Sequence, residues 1–149
     1  MDDIEDLSEP AHKFKNSALI IIESWGGLGD DSGTSGTVVL KNGEVYEYNI
    51  NFNAHKSLLF AHNDEAKLLG KLFRQGVLEI ENFLDDEKIM TTNYIDGDLE
   101  DLSETVYVNY KGAHRKIVNG YLTGPESVSI YQKVSDMLDL LIGRDSEEY

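Results

Sequence analysis

The chain has 149 residues, room for one ordinary domain, and sets 28 Asp and Glu against 13 Lys and Arg for a formal charge of −15. That charge argues against nucleic acid and anionic membranes as direct partners, because their affinity is built on cations meeting phosphates. With no cysteine present, disulfides, thiolate metal sites and cysteine nucleophiles are excluded.

Residues 1–16 read as an acidic arm, either a short helix over Asp2–Leu7 or a loose segment. The acidic start lacks the basic region of a secretory signal, and the longest apolar run, Ala18–Ile22, is too short to span a bilayer. A cytoplasmic location is therefore expected. Residues 17–143 form the expected single domain, and 144–149 a frayed tail. Hydrophobic residues at 40 % of the chain suffice for a core, so disorder is not expected there.

Ser17–Trp25 is apolar on both faces and ends at Gly26-Gly27, the pattern of a central strand. Gly26–Gly36 contains five glycines and reads as a loop. Thr37–Lys41 and Glu44–Ile50 flank Asn42-Gly43, a dipeptide that accepts positive φ at both turn positions, and predict a hairpin. Tyr46 and Tyr48 share one face of its second strand and are expected to pack against the helices. From Ser57 to Gln75, Leu58, Ala61, Leu68, Leu69, Leu72 and Phe73 recur at helical spacing, with Asn63-Asp64-Glu65 as a capping segment and Gly76 as the stop. Val77–Phe83 and Lys88–Ile95 read as strands, with a turn at Asp96-Gly97-Asp98.

Thr105–Tyr110 and His114–Val118 predict a second hairpin around Lys111-Gly112. Gly124-Pro125 opens the last helix, with Thr123 and Glu126 at capping-box spacing. Val128, Tyr131, Val134, Leu138 and Leu141 form its apolar stripe. The fold class is thus α+β: a mostly antiparallel sheet of five or six strands packed by two helices on one face, in the order βββ-α-ββ(β)-α. A duplicated hairpin-plus-helix unit fits that order, but the residues of the two halves do not match.

Between residues 79 and 104 ten carboxylates (Glu79, Glu81, Asp85, Asp86, Glu87, Asp96, Asp98, Glu100, Asp101, Glu104) face one cation, Lys88. Carboxylates at this density steer a basic partner and imitate the charge of a phosphate backbone. The bland alternative is a solubilising surface. A calcium loop over Asp96–Tyr107 fails, because Asp101 stands where the turn needs glycine and Tyr107 where the closing glutamate belongs. Gly26-Gly27-Leu28-Gly29 is a poor phosphate cradle, since Asp30 and Asp31 would repel the ligand. It suits better a loop presenting Trp25 and Leu28 to a partner.

His55 and His62 lie near Asp64 and Glu65 but without a known ligand spacing, and His12 and His114 are isolated. Gly33-Thr34-Ser35-Gly36 is one residue short of a nucleophile elbow. Tyrosines able to stack bases lack more cations than Lys111, Arg115 and Lys116. No catalytic constellation, cofactor or metal site is indicated.

The expected function is therefore that of a non-enzymatic inhibitor. Its carboxylates would occupy the nucleic-acid- or phosphate-binding surface of a basic protein such as a nuclease, around an apolar anchor (Trp25, Leu28 or Phe83). Phage anti-defence (anti-CRISPR-like) inhibitors and nuclease-immunity proteins share this composition as a class. Two alternatives remain open: a structural or regulatory subunit with an apolar interface, and a carboxylate/His cation-binding module or enzyme.

Overall fold

The computed structural model describes residues 14–26, 33–51, 66–96, 102–121, 128–144 and 146–148. Strands β1 (Ala18–Gly26), β2 (Gly33–Leu40), β3 (Glu44–Asn51) and β4 (Lys67–Leu72) lead into helix α1 (Arg74–Asp86). After β5 (Ile95–Asp96) come β6 (Leu102–Tyr110), β7 (Ala113–Val118) and β8 (Gly120–Tyr121), then helix α2 (Ile130–Arg144) and β9 (Ser146–Glu148). One antiparallel sheet runs β7-β6-β1-β2-β3-β4-β9, and β5 pairs with β8 apart from it. The fold is α+β. No described helix is long and apolar enough to cross a membrane.

β1 lies inside the sheet, paired with β2 and β6, as its two apolar faces require. Ile20, Ile22, Val106, Val108 and Ile117 form a core with Ile80 and Leu84 of α1 and Val134, Leu138 and Leu141 of α2. Both helices thus cover one face. On the other face Ile21, Val38, Tyr48 and Tyr107 make a second core, onto which Phe14 and Tyr46 pack. Phe14 and Tyr46 lie with ring centroids 4.8 Å apart, so the end of the N-terminal arm is docked. Tyr46 and Tyr48 consequently face away from the helices, contrary to expectation.

The two hairpins use different turns. At Lys111-Gly112 both residues have positive φ, 52° and 79°, the two-residue type I′ pattern. At Lys41-Asn42-Gly43 only Gly43 does (φ 98°), and its N–H reaches Leu40 O at 2.9 Å. This is a three-residue loop closed by a left-handed glycine rather than the two-residue turn that Asn42-Gly43 suggests.

The largest departure lies at residues 66–96. Leu68–Phe73, expected in a helix, is mostly β4, paired to the edge of β3 through Val45↔Gly70 and Tyr46↔Leu68. Val77–Phe83, expected as a strand, lies within α1, where Gly76, Ile80 and Leu84 are buried at every fourth position. Gly76 is therefore part of the helix's buried face and not a stop. The helix ends instead at Lys88, whose φ is 52°: Lys88 N–H bonds Asp85 O at 3.1 Å and Ile89 N–H bonds Leu84 O at 3.1 Å. That is a Schellman ending without glycine, held by burial of Ile89. Of Lys88–Ile95, expected as a strand, only Ile95 enters β5.

α2 starts later than expected. Ser129 Oγ accepts the N–H of Gln132 at 3.0 Å, leaving Val128 exposed ahead of the helix. The Thr123–Glu126 box and residues 52–65 fall outside the described residues. Ser146–Glu148, expected in a frayed tail, pairs with β4.

One row across the second face shows how closely sequence and packing are matched. Tyr48, Gly36 and Glu23 are register neighbours on β3, β2 and β1. The Tyr48 ring lies over Gly36 and its hydroxyl donates to the buried Glu23 carboxylate at 2.5 Å. A Cβ at position 36 would collide with that ring. Gly36→Ala should therefore lower the unfolding free energy by about 1–3 kcal/mol, as overpacking does. In a Tyr48→Ala background most of that loss should disappear, which a urea-denaturation double-mutant cycle checks.

Candidate functional site

Helices side by side on a sheet leave a trough between their outer surfaces, and here the trough is chemically distinctive. α1 turns Glu79, Phe83 and Asp86 toward α2, which supplies Met137, Leu140 and Leu141; Glu87 closes one end. The resulting groove has a volume of about 360 Å³. Phe83, Met137, Leu140 and Leu141 give it apolar surface, and its α1 side also carries Asn82 and the carboxylates. Leu140 is 60 % exposed, the highest value among the large apolar side chains described.

The periodicity of α1 divides its acids between two flanks. Glu79 and Asp86, seven residues apart, share the flank facing α2, because two turns of helix nearly restore the same direction. Glu81 and Asp85 lie on the other flank. There Asp85 accepts from the Tyr110 hydroxyl at 2.9 Å and meets Lys111 at 3.6 Å. Burial, and after it the bond to Asp85, holds the Tyr110 hydroxyl above its ordinary pKa. Glu87 takes Lys133 Nζ at 3.0 Å, an ion pair joining the end of α1 to α2.

Glu104 and Trp25, also expected in the interface, do not join this surface. Glu104 lies on β6, paired with Ser24. Trp25 is 40 % exposed, but the alternation along β1 puts it on the face away from the helices. It cannot anchor a contact centred on α1, whereas Phe83, the other described apolar anchor, lies in the groove. Asp96 belongs to β5. Leu28, Asp98, Glu100 and Asp101 lie outside the described residues, as do His12, His55 and His62.

Arg115 is structural: its guanidinium donates to Ile89 O at 2.7 Å and lies 5.4 Å from the centre of the Tyr94 ring. His114 Nδ1 hydrogen-bonds the Tyr107 hydroxyl. Among the described residues no group of three or more His, Asp or Glu side chains could hold a metal ion.

A second, polar cleft of about 250 Å³ opens beside the first turn of α2, lined by Ser35, Thr37, Glu47, Asn49 and Tyr131. The register explains it: Asn49, Ser35, Ser24 and Glu104 are successive neighbours across β3, β2, β1 and β6. Tyr131 of α2 hydrogen-bonds Ser24 above this row. Sequence reasoning did not find the row, because its members are scattered through four strands.

The chain matches no protein-family model and no curated protein.

The Tyr131 hydroxyl lies above its ordinary pKa of 10.0, first through burial and then through the Glu104 charge, while the Ser24 bond works the other way. A raised folded-state value favours the neutral phenol in the native protein. Its contribution is complete below the unfolded value near 10.0 and is lost as pH climbs through the higher folded value. Tyr94 and Tyr110 are raised too and add to this alkaline loss. Tyr131→Phe should flatten, without abolishing, the fall of unfolding free energy above about pH 10, as read by urea titrations at stepped pH.

Proposed function

We propose that this is a non-catalytic binding protein that occupies a positively charged surface of another protein and blocks it. The observation that carries this reading is the α1–α2 groove, where exposed Leu140 and neighbouring Phe83 and Met137 sit beside Glu79 and Asp86. Interfaces draw their energy from desolvated apolar anchors, while surrounding charge selects the partner and speeds encounter. A chain of net charge −15 adds long-range attraction for basic proteins. The natural target is a surface that otherwise holds nucleic acid or phosphate, so occupancy would inhibit by competition. Anti-defence inhibitors of phages and immunity proteins of nucleases act in this manner, and the reading places the protein with that class by mechanism.

The test is retention of basic proteins from a host extract on the immobilised chain, followed by displacement of labelled nucleic acid from the purified retained protein. The wild-type chain should displace nucleic acid, and raising salt from 50 to 300 mM should slow its association at least about tenfold. Asp86→Lys, at an exposed position, should weaken displacement at least about tenfold while leaving the melting temperature within a few degrees. Displacement unaffected by either change would exclude the electrostatic reading.

A further inference from the structure

We propose that the polar cleft beside the first turn of α2 is a binding site for a protonated amino sugar of single-ring size. The cleft shares no lining residue with the α1–α2 groove, so the proposal stands apart from the partner reading above.

Strand register builds the site. Ser35 and Thr37 of β2 lie directly opposite Asn49 and Glu47 of β3. All four share the alternation of Val39 and Val45, which enter the helix-side core, so they line the sheet surface on which α2 lies. Facing side chains on neighbouring strands start about 5 Å apart, and same-face positions along one strand about 6.6 Å apart. Four polar groups thus mark the corners of a patch that a hydroxylated six-membered ring covers. Tyr131 forms the wall, packed partly buried against the helix-side core with its hydroxyl hydrogen-bonded to Ser24. Gly36 and Tyr48 complete the lining with main chain, because glycine has no side chain and the Tyr48 ring packs in the opposite core. A volume of about 250 Å³ falls below the roughly 300–1,000 Å³ of drug-sized sites and suits one ring.

The chemistry of the lining selects the ligand. Serine and threonine hydroxyls and the asparagine amide both donate and accept, as sugar hydroxyls do. Among the described residues, the side chains of Ser35, Thr37, Glu47 and Asn49 make no hydrogen bond or ion pair, so their capacity is open to a ligand. Strands hold such groups more precisely than loops do. No Lys, Arg or His lines the cleft. Glu47 is its one carboxylate, and the charges acting on the Tyr131 hydroxyl come from Glu104, Asp139 and Glu23. Lys67, opposite Glu47 on β4, neither lines the cleft nor forms an ion pair with it. A phosphate or carboxylate meets repulsion here, whereas an ammonium meets Glu47. The ligand that uses both sets of groups is a ring bearing hydroxyls and one protonated amine.

The probe is glucosamine, compared with neutral glucose and anionic glucuronate. Each is titrated into the ¹⁵N-labelled full chain at about pH 6.5, where the amine is protonated, and about 150 mM salt, where distant charges are screened. Glucosamine should give saturable amide shifts at Ser35, Thr37, Glu47 and Asn49, with an affinity at least about threefold above that of glucose. Glucuronate should give none. Glu47→Gln should bring glucosamine down to the level of glucose, and Asn49→Ala should weaken both. Both positions are exposed, so the variants should keep the wild-type melting temperature.

The absence of saturable shifts with all three sugars up to about 50 mM, enough to detect millimolar binding, would overturn the site. Equal binding of glucosamine and glucose, or a preference that survives Glu47→Gln, would overturn the pairing of an amine with Glu47 and with it the proposal. Shifts centred on Met137 and Leu140 would move the binding to the α1–α2 groove and overturn it as well.

Discussion

Burial of the apolar faces of β1 and β6 forces the two helices onto one side of the sheet, and the character of the surface follows from that constraint. Ile80 and Leu84 from α1 and Val134, Leu138 and Leu141 from α2 enter the same core as Ile20, Ile22, Val106 and Val108. Each such side chain contributes roughly 1.5–3 kcal/mol when removed from water. Once both stripes are committed to that core, the outward flanks have to meet along a trough. Leu141, Phe83 and Met137 in that trough still pack on the core, but Leu140 is 60 % exposed and does not, so its exposure calls for an explanation of another kind.

The electrostatics divide along the same line. Where carboxylates serve the fold, they have partners: Asp85 has Tyr110 and Lys111, Glu87 has Lys133, and Glu23 has Tyr48. Exposed pairs such as Asp85–Lys111 contribute little, so their use is orientation more than stability. Glu79 and Asp86 lie along the trough, where desolvation by another protein would strengthen an ion pair formed there.

Where side-chain periodicity and turn chemistry agreed, the sequence was readable. β1 followed from its unbroken β-branched run, the hairpins from Asn42-Gly43 and Lys111-Gly112, and α2 from the Val134-Leu138-Leu141 stripe. The β4–α1 junction was misread for a physical reason. Leu68, Leu69 and Leu72 fit a helical period as well as a short edge strand, and only pairing with β3 decides between them. α1 was hidden because its buried stripe begins at Gly76, which has no side chain, and because its ending uses a left-handed Lys88 where a glycine is usual. The repeat from Gly76 to Ile80 to Leu84, supported by Val77 and Phe83, was the available signal. The density of carboxylates was legible, but not their partition between two helix flanks and a strand, which required the helical phase of α1. Phe83 was among the expected anchors; Leu140 was not, since its role depends on which helix lies beside it.

The most direct measurement of the central claim is a methyl NMR titration of the protein with the basic protein it retains. The account predicts that the Met137, Leu140 and Leu141 methyls shift together, while Ile21 and Val38, buried beneath the opposite face, stay in place. Shifts concentrated around Ile21 and Val38, with Leu140 unmoved, would contradict it.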